Sequence, residues 1–207
     1  MLQWFIEIDK NVFLYLNSIN SPAWDNIMWW VTKTETWIPL HIALLAYIIY
    51  KERPYRFIFT ILFVALVVTL CDQIAVHIRN LVERPRPSHN PEFADLIHLV
   101  FNHKKGKLYT GGAFGFVSAH AANVFGVATF LSNQFKHFRW SLLLFAWAAL
   151  VAYSRIYLGV HYPLDIICGA LLGALLGLLC YMLKVRTVVY VERRIDEYKL
   201  KKRSSFL

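Results

Sequence analysis

An arginine, a histidine and an aspartate lie close together in the segment Ser154–Asp165, between apolar runs at 140–153 and 166–183. If a helix begins near His161, then Asp165 lies four residues away on the same face, and Pro163 falls in the first turn, where its missing N–H costs nothing. A carboxylate in that position can hold one imidazole nitrogen and leave the other free to react. The alternative is a loop between membrane spans whose charges only mark the interface.

Three arginines form a second cluster, Arg79, Arg84 and Arg86. Arg79 and Arg86 are separated by about two helical turns, so both can lean from one helix end toward a common point, and Pro85 and Pro87 fix how the chain leaves the helix. Guanidinium groups this close repel one another unless an anion satisfies them, and their planar forks suit phosphate oxygens. The alternative is that they anchor the chain to lipid headgroups.

A serine and a histidine, Ser118 and His120, open another apolar run. A serine in the first turn of a helix offers a hydroxyl beside backbone N–H groups at the positive end of the helix, which is an anion site. His120 can carry a proton next to it. A single histidine at the mouth of a span is more often an ordinary interfacial residue, and only the other clusters favour a chemical role.

The composition is that of an integral membrane protein, because 57% of the 207 residues are hydrophobic and 17% are charged. Several runs approach the roughly 20 apolar residues that cross a bilayer. We therefore predict an all-α, polytopic membrane helix bundle with five transmembrane helices, or six, preceded by N-terminal interfacial helices. The predicted spans are 37–50, 57–78, 116–135, 140–157 and 163–183.

These spans divide the chain into three parts. Residues 1–35 form interfacial or partly inserted helices, residues 36–185 form the membrane domain with the polar clusters, and residues 186–207 form a basic tail. Residues 84–113, rich in proline, charge and glycine, form one long loop. We expect no cleaved signal peptide, because the N-terminus lacks a basic segment followed by an apolar core.

The formal charge of +9 suggests a nucleic-acid partner in a soluble protein, but here lysine and arginine fall at span ends and in the tail, where anionic lipid headgroups attract them. We find no nucleic-acid motif. The cysteines Cys71, Cys168 and Cys180 lie in apolar runs without metal-ligand spacing, which predicts packed, reduced side chains and no metal site.

Alternation of the spans brings the three clusters to one membrane surface. The opposite surface receives basic residues in short loops or close to span ends: Lys51, Arg53, Arg56, Lys136, Arg139, Arg186 and the tail. By the positive-inside rule that surface is cytoplasmic, so the clusters lie at the outer face. In a bacterium this is the periplasmic side of the inner membrane.

Together the clusters resemble the motifs of the type 2 phosphatidic-acid phosphatase superfamily, which also includes soluble acid phosphatases and vanadium haloperoxidases. The family pattern is a basic residue, six positions, Arg-Pro; then Pro-Ser-Gly-His; then Ser-Arg, five positions, His, three positions, Asp. This sequence has Arg79, six residues, Arg86-Pro87; Val117-Ser118-Ala119-His120; and Ser154-Arg155, five residues, His161, three residues, Asp165. The first motif has arginine where lysine is usual, and the second departs at Val117 and Ala119. The resemblance covers about residues 55–185.

The resemblance implies a role for each matching residue. His161 would attack phosphorus and form a phosphohistidine, Asp165 would set its tautomer, and His120 would protonate the leaving oxygen and then help activate water. The phosphate oxygens would be held without a metal or other cofactor by Arg79, Arg86, Ser118 and Arg155, with Arg84 as an additional candidate contact.

We therefore predict a membrane phosphatase that acts on a lipid phosphate or diphosphate. The candidate substrates are undecaprenyl diphosphate, phosphatidylglycerol phosphate, phosphatidic acid and lipid A phosphates. The expected partners are the lipid phosphate and membrane lipids, without nucleic acid or an obligate protein partner. One alternative is a protein that binds or transports a lipid phosphate without cleaving it; the other, a vanadate-dependent haloperoxidase, is disfavoured by five helices of membrane length.

Overall fold

The computed structural model describes residues 2–204, which fold almost entirely into helices. The α-helices are α1 Leu2–Ser18, α2 Pro22–Val31, α3 Ile38–Lys51, α4 Pro54–Val82, α5 Ala119–Phe135, α6 Phe138–Tyr157 and α7 Pro163–Ser204. The loop between α4 and α5 carries a small antiparallel hairpin of β1 Phe101–Asn102 and β2 Lys107–Leu108. The all-α prediction is therefore confirmed.

Among the described residues, three helices are long and apolar enough to cross a membrane: Pro54–Val82, Phe138–Tyr157 and Pro163–Lys202. They confirm that the chain is a membrane protein. Two other predicted spans coincide with α3 and α5, which have 14 and 17 residues. At a rise of about 1.5 Å per residue these helices are short for a bilayer, so the number of five or six spans stays a prediction.

The centre of the bundle is a very close contact between α5 and α7. A Cβ atom added at Gly173 would lie 2.0 Å from the backbone oxygen of Ala122, and one added at Gly177 would lie 2.3 Å from that of Gly126. Only glycine permits this approach, because any side chain would overlap backbone atoms. The contact holds the starts of the two helices together, where the N–H of Ser118 donates to the backbone oxygen of Asp165 at 3.0 Å.

Helix α1 is amphipathic, and it also carries a buried polar side chain that forms hydrogen bonds with other parts of the chain. Its Asn17 is buried and donates from Nδ2 to the backbone oxygens of Ile156 and Tyr157, at 3.1 and 2.9 Å. Its Oδ1 accepts from the N–H of His98 at 2.7 Å. The helix is thereby tied to the end of α6 and to the long loop, which its sequence pattern does not reveal.

The basic segment that begins at residue 186 differs from the tail we expected. Residues up to Ser204 continue α7 as one helix of 42 residues, and the remaining residues 205–207 lie outside the described part. Glu192 on this extension accepts hydrogen bonds from the hydroxyl of Tyr55 and from Nε of Arg56, at 2.5 and 2.8 Å. The extension is therefore fastened to the start of α4.

The contact between α5 and α7 predicts the effect of the Gly173→Ala substitution. The added methyl group would overlap a backbone oxygen, so the helices must separate, and we expect a loss of about 1–3 kcal/mol in the free energy of unfolding. Thermal denaturation of the detergent-solubilised protein measures this as a lower Tm. Gly112→Ala is the control, because no atom lies within 4 Å of a Cβ at that position. Equal melting temperatures for the two variants would contradict the prediction.

Candidate active site

A cavity of about 530 Å³ opens between α4, α5, α6 and the long loop. Five of the residues predicted to form the site line it, namely Arg79, Arg86, His120, Arg155 and His161. The structure thus brings residues from all three sequence clusters to one cavity. The other three predicted residues, Arg84, Ser118 and Asp165, lie behind its wall.

His161 precedes α7, and Asp165 lies in the first turn of that helix, which begins at Pro163. Nδ1 of His161 lies 3.3 Å from Oδ2 of Asp165, and both side chains are buried. The same carboxylate oxygen accepts the N–H of Tyr162 at 3.0 Å. A proton on Nδ1 therefore points to the carboxylate, and Nε2 carries the lone pair on the side of the ring that faces away from Asp165.

Asp165 is fixed from behind by Arg84. Nη1 of Arg84 donates to Oδ1 of Asp165 at 2.8 Å, and Nη2 donates to Oδ2 of Asp9 at 2.6 Å. The guanidinium also stacks on the ring of Tyr162 at 4.0 Å. Both ends of Arg84 are thus occupied by carboxylates, and the structure places it behind the cavity rather than at the predicted phosphate contact.

Asp9 completes this chain of charges. Its Oδ1 accepts the N–H of Leu164 at 2.8 Å, at the start of α7. Burial raises the pKa of Asp9, although the hydrogen bond from Arg84 acts in the opposite direction. Asp9, Arg84 and Asp165 form a continuous row of ion pairs that orients His161.

Arg86 is held in the wall by backbone oxygens. Its Nε donates to the carbonyl of Phe114 at 2.9 Å and its Nη1 to that of Val160 at 3.2 Å. Nη1 also lies 3.1 Å from Nε2 of His161. Burial and the charges of Arg155 and Arg79 lower the pKa of Arg86 to about 10, so the group remains charged at neutral pH.

Arg155 reaches the cavity between two side chains that the sequence analysis did not select. Its Nη1 donates to the hydroxyl of Thr32 at 2.6 Å, and its Nη2 donates to the hydroxyl of Tyr109 at 3.1 Å. Among residues 2–204, Nε of Arg155 and Nε of Arg79 are buried without any hydrogen-bond partner. Buried donors without acceptors are rare, and here they indicate the place of an anion.

The arginines also set the protonation of His161. Burial, followed by the charges of Arg86, Arg155 and Arg79, lowers the pKa of His161 well below its ordinary value. The imidazole is therefore neutral at pH 7, as a nucleophile must be. His120 lines the same cavity from the first turn of α5. Ser118 caps that helix by accepting the N–H of Ala121 at 3.4 Å.

Three supporting residues, Asp9, Thr32 and Tyr109, were missed because each comes from a segment far from the motifs. Nothing in the sequence singled out Asp9, because it lies beside Glu7 and Lys10 in α1, and such charges are typical of an interfacial helix. Across the described residues, no group of three or more histidine, cysteine, aspartate or glutamate side chains stands together as a metal site. The positive charge of the cavity comes from its arginines.

Comparisons with known proteins agree with this geometry. The sequence model of the PAP2 superfamily matches residues 55–188. The lipid A 4'-phosphatase of Bacteroides thetaiotaomicron is 39% identical over 188 residues, which cover 88% of this chain and 80% of that protein. The lipid A 4'-phosphatase of Porphyromonas gingivalis is 34% identical over 181 residues, which cover 87% and 74%.

The fold is also similar to the crystal structure of Aquifex aeolicus LpxE. The TM-score is 0.60 and the sequence identity 25%, and the superposition covers 82% of this chain and 92% of that one. The family match spans more than half of the chain and contains every motif residue that lines the cavity. The chain therefore belongs to the PAP2 superfamily and is a membrane lipid phosphatase.

Proposed function

We propose that the protein removes the phosphate of a lipid A-type substrate through a phosphohistidine intermediate at the outer face of the membrane. The observation that carries this proposal is the position of His161, with Nδ1 on Asp165 and Nε2 in a cavity that three arginines and a second histidine also line. Lipid A is favoured among the candidate substrates because two relatives that share most of their length with this chain are lipid A 4'-phosphatases.

The first step forms the phosphohistidine. Nε2 of His161 attacks phosphorus, a P–N bond forms, and the bond from phosphorus to the lipid oxygen breaks. His120, which takes up a proton once the negative phosphate offsets the charges of the arginines, gives that proton to the lipid oxygen, and the dephosphorylated lipid leaves. Asp165 stabilises the positive charge that develops on the imidazole of His161.

The second step restores the enzyme. His120, now neutral, takes a proton from water as the water oxygen attacks phosphorus, and the P–N bond to His161 breaks. Inorganic phosphate is released. In both steps Arg79, Arg86 and Arg155 stabilise the charge on the equatorial oxygens, and the first turn of α5, which lines the cavity at Ala119 and His120, is a further source of donors.

The distribution of charge supports the orientation. Basic residues concentrate at the end of the bundle opposite the cavity, where the extension of α7 meets the start of α4. The positive-inside rule makes that end cytoplasmic and puts the cavity on the outer side of a bacterial inner membrane. In this orientation α3 and α5 cross the membrane with the three longer helices, giving five spans.

A protein that only binds or transports a lipid phosphate would also use arginines. It has no use for a neutral histidine whose other nitrogen faces a buried carboxylate, and this pair favours hydrolysis. The two functions are separated by the loss or retention of phosphate release when His161 is replaced.

The main test measures phosphate release by the purified protein from lipid A, phosphatidylglycerol phosphate, phosphatidic acid and undecaprenyl diphosphate. We expect His161→Ala to lower kcat at least about 1,000-fold, because no nucleophile remains, and Arg155→Ala about 100-fold, because one oxyanion donor is lost. His103→Ala, in the exposed hairpin, is the matched control and retains activity. Release that survives in His161→Ala would refute the phosphohistidine mechanism.

A second prediction concerns Arg84 and Asp9, which position Asp165. We expect Arg84→Gln and Asp9→Asn to lower kcat about 10–100-fold with little change in KM, since a misplaced imidazole slows the chemistry without weakening phosphate binding. Steady-state kinetics measures the two constants, with Lys10→Gln as the control in the same helix. A large rise in KM for Arg84→Gln, with Asp9→Asn unaffected, would instead make Arg84 a direct phosphate contact.

A third prediction concerns metals. The arginines supply the positive charge that a metal ion provides in other phosphatases, so extensive treatment with EDTA should change phosphate release less than twofold. The measurement is the initial rate before and after chelation, with and without added Mg²⁺. A loss of activity that Mg²⁺ or Zn²⁺ restores would show that the arginines are insufficient.

A further inference from the structure

The cavity continues past the arginines toward the middle of the bundle, into a region that the mechanism does not use. Asp72 lies seven residues before Arg79 on α4, and Trp147 lies eight residues before Arg155 on α6; both line the cavity. On an α-helix these separations correspond to about 10 and 12 Å. Asp72, Trp147 and Asn123, which lies one turn inside α5, define a chamber beneath the phosphate seat, by which we mean the part of the cavity that the three arginines line.

The polar centre of the chamber is the pair of Asp72 and Asn123. Nδ2 of Asn123 donates to Oδ1 of Asp72 at 2.8 Å. A carboxylate only accepts hydrogen bonds, so this contact fixes the orientation of the amide and leaves the oxygen of Asn123 on its other side. That oxygen is buried, and no donor within the described chain reaches it. The chamber therefore contains one acceptor, Oδ1 of Asn123, that lacks a donor among the described residues.

Trp147 adds a donor without an acceptor. Its Nε1 is buried and has no hydrogen-bond partner in the part of the chain that the structure covers. Its ring meets Trp37 and His41 edge to face, with centroids 5.8 and 6.1 Å apart, and all three rings line the cavity. The chamber thus combines one free acceptor, one free donor and aromatic walls.

A purely structural role does not account for this arrangement. Polar side chains inside apolar helices are normally satisfied within the protein, because an unpaired polar group in a membrane is costly. Asn133, farther along α5, follows this rule, since its Nδ2 donates to the backbone oxygen of Thr129 at 2.8 Å. Asn123 and Trp147 depart from this rule, and both line a cavity that is large enough for a ligand.

The unpaired groups specify the chemistry of that ligand. The free acceptor on Asn123 requires a ligand with an O–H or N–H group, and Nε1 of Trp147 requires an acceptor such as a carbonyl oxygen. The ligand must also be joined to the phosphate, because the chamber is continuous with the phosphate seat. The diacylglycerol of phosphatidic acid and the chain of a polyprenyl phosphate carry no O–H or N–H group near phosphorus, and phosphatidylglycerol phosphate carries a single hydroxyl there and no N–H group.

We infer that the chamber is a leaving-group subsite for a sugar ring that carries hydroxyl and N-acyl groups. This inference rests on the proposed function and deepens it, because it explains how the enzyme would select a phosphorylated amino sugar over a glycerolipid. Aromatic rings suit the apolar faces of a sugar, and the free polar groups suit its edge. Below them Val68 and Val127 give the chamber an apolar floor for an acyl chain.

The test compares two substrates that differ in the leaving group. Phosphate release is measured from an N-acylated glucosamine 4-phosphate lipid and from phosphatidic acid, in the same detergent. For Asn123→Leu we expect the ratio of the two kcat/KM values to fall about tenfold or more, and for Trp147→Phe about threefold or more, because each substitution removes a hydrogen bond that only the sugar makes. Asn133→Leu is the matched control on α5 and keeps the wild-type ratio.

The outcomes separate this inference from the proposed function. If the wild type cleaves the sugar phosphate but neither substitution changes the ratio, the subsite is wrong and the proposed function stands. If the wild type does not cleave the sugar phosphate, the proposed function fails and the subsite fails with it. Trp147→Phe preserves the ring and keeps the test decisive if Asn123→Leu does not fold.

Discussion

The approach of α5 to α7 is the constraint on which the rest of the molecule depends. Because Gly173 and Gly177 bring the helix backbones into direct contact, the two helix starts lie side by side rather than a side chain apart. The N–H of Ser118 can then reach the backbone oxygen of Asp165. This juxtaposition brings His120 and His161, 41 residues apart in sequence, to the same cavity.

The second constraint is electrostatic, because three guanidinium groups converge where water is scarce. The carboxylates of Asp9 and Asp165 lie behind the cavity, and both are paired with Arg84. The guanidinium groups that face the cavity donate instead to neutral acceptors, namely the hydroxyls of Thr32 and Tyr109 and backbone oxygens. The positive charge of the cavity is therefore oriented without being neutralised. Such a site favours an anion with several oxygens and keeps His161 unprotonated.

The sequence was most informative where function depends on local spacing. The separation of His161 and Asp165 predicted their contact, and the apolar runs located α3 to α6 and the start of α7 within a few residues, although α7 continues to Ser204, well beyond the predicted end at 183. It failed where a side chain acts through tertiary structure. Asp9 and Thr32 come from a region that we interpreted as interfacial, and their roles appear only when α1 and α2 pack against the end of α6. Arg84 could not be distinguished in the sequence from Arg79 and Arg86, because its ion pair with Asp9 joins residues 75 positions apart.

The two ends of the bundle differ in a way that ties packing to function. At the end opposite the cavity, buried Lys184 donates to Glu52 and Gln134, at 3.2 and 2.8 Å, and Arg56 is paired with Glu192. At the cavity end, Nε of Arg79 and Nε of Arg155 stay unpaired although partners of the same kinds occur in the chain. Leaving a buried donor unpaired lowers stability, and it is tolerated where a substrate supplies the missing acceptor. Arg79, Arg155, Asn123 and Trp147, whose unpaired groups have no partner among the described residues, all line one cavity, which fits the proposal that the phosphate lies beside the arginines and the leaving group below them.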